Sequence, residues 1–169
     1  MKKPFISVII AALNEEESIA KVIEAVPRDL AGEIIVVDNG SSDRTAEVAT
    51  ATGARVIGEP RRGYGRAFMT GLESISQASE IIVFLDGDGS DCPEMMDRLV
   101  MPIIERRFDF VIGSRTAGRR EPGSMNFHQV VAGYMIGFFL QMLYGVHSTD
   151  MGPFRAIRRR TLEALGMRE

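Results

Sequence analysis

Hydrophobic residues gather along this chain in short runs, separated by segments in which apolar positions recur at helical spacing. The apolar runs predict β-strands at about 5–12, 33–38, 54–57, 81–86 and 109–113. Strands that alternate with helices are typical of a parallel sheet, because each parallel pair needs a crossover connection. The pattern therefore predicts an α/β fold with a mostly parallel central sheet flanked by helices.

The segments between the strands carry helical spacing and the residue types that begin and end helices. In the first segment the apolar positions before the helix-ending Pro27 are Ile19, Val22, Ile23 and Val26. The expected starts of the later helices are a cap at Ser42 or Asp43, a start after Gly63-Tyr64-Gly65, and a start at Pro93 with a cap at Asp91 or Cys92. We expect four helices in this part of the chain.

Length, charge and cysteine content narrow the class of protein. The 169 residues, 45% of them hydrophobic, suffice for one sizeable core and predict a single domain over residues 1–169. The net charge of −3 and the lack of a long Lys/Arg run argue against a nucleic-acid partner. Cys92 is the single cysteine, so an internal disulfide and a cysteine zinc cluster are excluded. A reducing, cytoplasmic location is expected.

The fourth predicted strand ends in carboxylates set among glycines. Its apolar run passes directly into Asp86-Gly87-Asp88-Gly89, followed by Ser90 and Asp91. Carboxylates held close together repel each other unless a cation lies between them, and hard divalent metals with phosphate oxygens suit such a pair. The motif predicts a metal and diphosphate site. The alternative is a carboxylate-rich turn that binds nothing.

The second predicted strand ends in a similar way. It leads into Asp38-Asn39-Gly40, followed by Ser41, Ser42 and Asp43. Parallel sheets bind ligands at the carboxyl ends of their strands, so the two strand ends point to one cleft.

Several motifs, in order and each at the end of a predicted element, carry a resemblance to a known family. They are Ala11-Ala12-Leu13-Asn14-Glu15, residues 36–43, Gly63-Tyr64-Gly65-Arg66, residues 84–88, Ile112-Gly113-Ser114-Arg115 and residues 149–155. The chain resembles the family 2 inverting glycosyltransferases with the GT-A nucleotide-sugar-binding fold. Within that family it looks most like dolichyl-phosphate mannosyltransferases and polyprenyl-phosphate glucosyltransferases.

The resemblance implies how the domain is divided. Residues 1–115 would form the donor-binding half and residues 116–169 an incomplete acceptor-side segment. Relatives continue beyond the position of Glu169, so we expect a C-terminally truncated chain. The exposed C-terminal face would be covered by another subunit of a homo-oligomer.

The resemblance also implies a donor site for a UDP- or GDP-linked sugar. Leu13, Glu15 and Asp38 would line the nucleotide pocket, although Glu15 also suits the first turn of a helix. Asp88 would bind Mg²⁺ or Mn²⁺ directly, and Asp86 would contact the ribose or a metal-bound water. Asn39 stands where the family often has a second Asp.

The basic residues around 61–66 are candidates for diphosphate contacts. Gly63-Tyr64-Gly65 lacks the third glycine of a dinucleotide-binding loop and does not follow a first strand, so that interpretation is rejected. Arg66 lies inside the family motif and is the preferred diphosphate ligand. Arg61 and Arg62 suit an exposed basic turn equally well.

The remaining motifs imply an acceptor site for a polyprenyl phosphate. Arg115 would lie near the acceptor, Asp150 would act as general base or position the acceptor, and Arg155 would contact phosphate. The alternatives are transfer to a soluble small molecule, a non-catalytic sugar-nucleotide-binding module, and a nucleotidylyltransferase. For Asp150 a loop cap is the structural alternative.

A mostly apolar segment at 130–146 is too short to span a bilayer comfortably. It predicts either a core helix or an interfacial helix. In the second case Arg119-Arg120 or Arg158-Arg159-Arg160 would meet anionic lipid headgroups. Peripheral contact with the cytoplasmic face of a membrane would suit a lipid-phosphate acceptor.

Overall fold

The computed structural model describes residues 3–114 and 152–166. The chain divides into two compact units, one formed by Met1–Val111 with Phe154–Glu169 and the other by Ile112–Pro153. Only residues 112–114 and 152–153 of the second unit are described, so the account below concerns the first.

One sheet runs through the first unit. Its strands are β1 (Phe5–Ala12), β2 (Glu33–Asp38), β3 (Arg55–Gly58), β4 (Ser79–Asp86), β5 (Phe110–Ile112) and β6 (Arg155–Arg158). Their spatial order is β3-β2-β1-β4-β6-β5. The pairs β1/β2, β1/β4 and β2/β3 are parallel, whereas β4/β6 is antiparallel. The mostly parallel sheet is confirmed, but β6 is an addition that the apolar pattern does not predict.

The helices follow the predicted alternation. They are α1 (Ile19–Ala25), α2 (Thr45–Ala51), α3 (Tyr64–Ser74), a 3-10 turn (Pro93–Met95), α4 (Met96–Ile104) and α5 (Arg159–Ala164). Helix α3 begins at Tyr64, inside the glycine motif and two residues earlier than predicted.

The structure agrees with the predicted caps in part. Arg44 occupies the cap position of α2, with no side-chain capping bond. The carboxylate of Asp43, one residue earlier, accepts from the Thr45 N–H at 3.0 Å, which is the bond expected of the predicted cap. Pro93 begins a 3-10 turn and not an α-helix, and Cys92 precedes it without a side-chain capping bond. Asp91 accepts a hydrogen bond from the Asp86 N–H at 3.4 Å.

The core lies on both faces of the sheet, which explains why the central strands are mostly apolar. Ile6, Val8 and Ile10 of β1 point to a core that includes residues of α1 and α4. Ile9 points to the opposite face, which α3 covers. Helix α3 packs closely there because Gly71 has no side chain: a Cβ atom would lie 2.4 Å from Ile9 Cγ2.

Within residues 3–114 and 152–166, none of the helices is long and apolar enough to cross a bilayer. The apolar segment at 130–146 lies outside the described residues.

Candidate functional site

The strand register aligns the candidate carboxylates at one edge of the sheet. Asp38 is the partner of Ala12, and Asp86 is the partner of Ala11. The backbone ladder continues past both strand ends: the Asn39 N–H donates to Ala12 O and the Gly87 N–H to Ala11 O, each at 2.9 Å. Both carboxylates therefore flank the end of β1.

The pleat sends these two side chains to opposite faces of the sheet. Successive residues of β1 alternate between the faces, and cross-strand partners share a face. Asp38 follows the face of Ala12, which packs with α1 and α4, whereas Asp86 follows Ala11 to the α3 face. A ligand that contacts both carboxylates must cross the edge of the sheet. The single cleft expected from the sequence stays a prediction.

Tight packing explains the glycine between the two carboxylates of the Asp86-Gly87-Asp88 turn. A Cβ atom at Gly87 would lie 3.1 Å from Ala12 Cβ and 3.2 Å from Ala11 O. Asp88 is exposed, and one of its carboxylate oxygens accepts from the Ser90 N–H at 2.9 Å. Ser90 thus contacts the turn through its backbone, and Asp88 faces solvent.

The candidate metal ligands are few. Asp86 is half-buried and Asp88 exposed. Across the described part of the chain, no group of three or more His, Cys, Asp or Glu side chains is arranged to hold a metal ion. The two carboxylates are hard oxygen ligands, which suit Mg²⁺ or Mn²⁺ when further oxygens come from phosphate and water. The residues fit a metal that is shared with a bound diphosphate.

Tyr64, the first residue of α3, contacts Asp86. Its hydroxyl donates to Asp86 Oδ1 at 2.8 Å. Partial burial, together with this carboxylate, raises the pKa of Tyr64 above its usual range. The hydroxyl is therefore protonated at neutral pH and is available as a donor.

Arg155 comes to the same face because its partner in β4 lies on that face. It is the partner of Phe84, two residues before Asp86, and its guanidinium carbon lies 5.6 Å from the centre of the Phe84 ring. Arg66 is exposed in the first turn of α3. The structure thus brings two of the predicted phosphate-binding cations to the α3 side of the sheet.

The loop after β1 is hydrogen-bonded to the loop after β2. Asn14, with φ of 58°, accepts from the Ser42 N–H at 2.8 Å, and its own N–H donates to Ser41 Oγ at 2.9 Å. The Glu15 N–H donates to Thr45 Oγ1 at 2.8 Å. A hydrogen bond from the Thr45 hydroxyl lowers the pKa of Asp43. These bonds make the two loops one polar unit.

The predicted nucleotide-pocket residues occupy this unit. Leu13 is 38% exposed. Asp38 Oδ1 accepts from the Ser41 N–H at 3.1 Å. Glu15 accepts from the Ser18 hydroxyl at 2.8 Å, and Ser18 Oγ also lies 2.8 Å from Gly87 O. Ser18 therefore links the Glu15 loop to the Asp86-Gly87-Asp88 turn.

Sequence reasoning missed the structural importance of Asn39, which is only 5% exposed. Its side-chain amide donates to Glu59 O at 3.0 Å and to Arg61 O at 2.9 Å. Its side-chain oxygen accepts from the Gly63 N–H at 2.8 Å. Asn39 therefore holds the loop that leads from β3 into α3. Because these partners are 20 to 24 residues away, no local pattern indicates them.

Glu59 is a second missed residue, and it is 4% exposed. Its carboxylate accepts from the Arg61 guanidinium at 3.0 and 3.1 Å and from the Thr70 hydroxyl at 2.7 Å. Hydrogen bonds from Arg61 and then Thr70 lower the pKa of Glu59 from 4.5 to about 2.

This lowered pKa predicts a pH-dependent stability. Because the folded state favours the charged carboxylate, Glu59 contributes its full stabilisation above pH 4.5, and that contribution is lost as the pH falls towards about 2. We expect Glu59→Gln to flatten the decline in unfolding free energy across this window, measured by urea denaturation at several pH values. The exposed Glu47→Gln is the control and should leave the slope unchanged. An equal effect of both substitutions would contradict the assignment.

Some predicted residues cannot be placed, and others have structural partners. Arg115 and Asp150 lie outside the described residues. Arg158 is only 15% exposed and pairs with Asp109 at 2.7 Å, which lowers the pKa of Asp109. Arg159 donates to the carbonyls of Ser76 and Gln77. Of the five arginines proposed to meet lipid, Arg119 and Arg120 lie outside the described residues, and among the other three only Arg160 is mainly exposed.

A comparison with known protein families shows the family to which this chain belongs. The profile of glycosyl transferase family 2 matches residues 7–166. The chain belongs to glycosyl transferase family 2. This membership confirms the family that its motifs indicated.

Curated relatives include enzymes named for lipid-phosphate acceptors. UDP-N-acetylglucosamine–dolichyl-phosphate N-acetylglucosaminyltransferase of Methanococcus voltae is 28% identical over 185 residues, covering 98% of this chain and 74% of that protein. Undecaprenyl-phosphate 4-deoxy-4-formamido-L-arabinose transferase of Serratia proteamaculans is 34% identical over 173 residues, covering 95% of this chain and 51% of that protein.

A solved structure also matches. Glucosyl-3-phosphoglycerate synthase from Mycobacterium tuberculosis, in complex with Mn²⁺, uridine-diphosphate-glucose and phosphoglyceric acid, superimposes with a TM-score of 0.74 at 29% identity. The match covers 94% of this chain and 58% of that enzyme. The GT-A fold expected from the sequence is confirmed, and this chain spans little more than half of the matched enzyme.

Proposed function

We propose that this protein transfers a sugar, with inversion, from a nucleoside-diphosphate sugar to a phosphate-bearing acceptor. The observation that carries the proposal is the Asp86-Gly87-Asp88 turn at the end of β4. Its glycine packs tightly against β1, and Asp88 is exposed to solvent. Arg155 lies beside the same strand, where it would meet phosphate oxygens. Together with membership in family 2, this arrangement supports donor binding at the edge of the sheet.

The donor is assigned to a UDP- or GDP-linked sugar. Leu13, Glu15 and Asp38 would line the nucleotide pocket, with Asp38 accepting a hydrogen bond from the base or ribose. Arg66 would bind the diphosphate. The names of relatives that use UDP-linked sugars support uridine as the first base to test.

The cation is assigned to Mg²⁺ or Mn²⁺ held by Asp88 and Asp86. When bound, it would neutralise the charge that develops on the departing diphosphate. The Mn²⁺ complex of the mycobacterial enzyme supports this assignment.

The proposed acceptor is a polyprenyl phosphate, whose phosphate group Arg115 and Arg155 would contact. A phosphate oxygen of the acceptor would attack the anomeric carbon while the bond from that carbon to the diphosphate breaks. The electron pair of the broken bond would leave with the nucleoside diphosphate. Because a phosphate is already anionic at neutral pH, Asp150 would chiefly position the acceptor. Residues 1–115 would hold the donor and residues 116–169 the acceptor, at the cytoplasmic face of a membrane.

A soluble phosphorylated acceptor is the second candidate. The mycobacterial complex with phosphoglyceric acid favours it. Both candidates share the phosphate group, so the proposed cations would serve either acceptor. A sugar-nucleotide-binding module without catalysis is the remaining alternative.

The proposal is tested by thermal stabilisation with UDP, GDP and their sugars, each with and without Mn²⁺, followed by a transfer assay. We expect one base to raise the melting temperature in the presence of metal, because a ligand that binds only the folded state stabilises it. Sugar transfer to a polyprenyl phosphate, and not to 3-phosphoglycerate, would support the lipid acceptor. Binding without transfer to either would favour the module. Failure to bind any nucleotide would refute the proposal.

A further inference from the structure

The hydrogen bond between Tyr64 and Asp86 limits the rotation of the Asp86 carboxylate, which belongs to the candidate site for the sugar nucleotide. An aspartate carboxylate rotates over a broad, shallow range about its last torsion when nothing holds it. Here the Tyr64 hydroxyl donates to Asp86 Oδ1 at 2.8 Å, and hydrogen bonds to carboxylates are stronger than those between neutral groups. A strong, directional contact therefore acts on the side chain whose orientation matters for a bound donor.

The Tyr64 ring is itself held by the strand that carries Asp86. It meets Phe68 edge to face, with ring centres 4.8 Å apart, and Phe68 meets Phe84 in the same way at 5.0 Å. Both phenylalanines are only 6% exposed. Phe84 precedes Asp86 by two residues and shares its face of β4. Tyr64 of α3 is thus connected to β4 in two ways, directly through Asp86 and through Phe68 to Phe84.

The backbone at the start of α3 is fixed as well. The Gly63 N–H donates to the buried Asn39 side chain at 2.8 Å. Gly63 has φ of 150°, a conformation that favours glycine. Tyr64 follows directly, so both its backbone and its ring are constrained before any ligand binds.

We propose that Tyr64 is a positioning residue, which orients the Asp86 carboxylate for the donor nucleotide. This inference rests on the proposed function of the site. Tyr64 is 51% exposed, so removal of its hydroxyl should change the stability of the core little. Loss of the hydroxyl should therefore weaken ligand binding without a matching loss of stability.

The test compares Tyr64→Phe with the matched control Ser74→Ala. Both substitutions remove a hydroxyl from α3 that donates a hydrogen bond of 2.8 Å, but Ser74 lies at the other end of the helix. UDP binding in the presence of Mn²⁺ is measured by calorimetry, and stability by thermal melting. We expect Tyr64→Phe to weaken UDP binding about tenfold, the scale of a hydrogen bond to a charged group, with a melting temperature close to wild type. Ser74→Ala should bind UDP like the wild type.

Two further variants separate positioning from other roles. Tyr64→Leu also removes the ring, and it should lose about as much affinity as Tyr64→Phe if the hydroxyl is what matters. In an Asp86→Ala background, followed by ligand-observed NMR, Tyr64→Phe should have little further effect. An equal loss in that background would show that the hydroxyl touches the nucleotide directly, which would overturn the positioning role.

Other outcomes would also overturn the inference. If wild type and Tyr64→Phe bind UDP equally, Tyr64 does not position Asp86, while the proposed function stands. Tighter binding by Tyr64→Phe would show that the tyrosine competes with the ligand. If the wild type binds neither UDP nor GDP, the proposed function fails and this inference fails with it.

Discussion

Asn39→Asp is expected to lower the free energy of unfolding by about 3 kcal/mol at neutral pH, because it replaces two buried donors with a carboxylate oxygen. The Asn39 amide donates to the carbonyls of Glu59 and Arg61. A carboxylate in its place would face both carbonyl oxygens, and Asn39 is only 5% exposed, so water cannot compensate. The measurement is urea denaturation monitored by circular dichroism.

The matched control for this prediction is Asn14→Asp. Asn14 is exposed, and its side-chain oxygen accepts from the N–H and hydroxyl of Ser42. A carboxylate accepts these bonds equally well, so the change in stability should stay within about 0.5 kcal/mol. If both substitutions cost the same, the two bonds donated by Asn39 are not what stabilises the loop after β3.

Removal of divalent metal is expected to weaken UDP binding about 100-fold. Without a cation, Asp86 and Asp88 would face the diphosphate as like charges, and each pair at 4 Å costs about 4 kcal/mol at an effective dielectric constant of about 20. Screening and water reduce that figure, which is why we expect a loss of about 3 kcal/mol in binding. The measurement is calorimetry of UDP binding with Mn²⁺, with Mg²⁺ and with a chelator.

Asp88→Asn should make the affinity for UDP less dependent on metal, because it removes one ligand and one repelling charge. The control is Asp97→Asn, which makes the same charge change at an exposed position in the first turn of α4. That variant should keep the full metal dependence. Equal UDP affinity with Mn²⁺ and with chelator in the wild-type protein would show that the Asp86-Gly87-Asp88 turn does not hold a metal.

Local patterns were sufficient for much of the fold. The bounds of β1 and β2 agree with the prediction to the residue, because each is a largely apolar run that is soon followed by polar residues. The carboxylates at the ends of β2 and β4 were also evident, since strand ends and turn residues are local signals. The start of α2 was close, since the Asp43 carboxylate accepts from the N–H of Thr45, the first residue of the helix. The start of α4 was less accurate, because Pro93–Met95 forms a 3-10 turn before the α-helix begins at Met96.

The sequence by itself determined the family, the mostly parallel sheet and the candidate ligand residues, because each depends on neighbours in the chain. Only the tertiary structure decided how those residues are held. Strand β6 is a four-residue Arg-Ala-Ile-Arg segment that becomes a strand by pairing with β4, about 70 residues earlier. The role of Asn39 and the contact of Tyr64 with Asp86 likewise join distant segments. Such contacts form only when the core brings the loops together, so no local pattern encodes them.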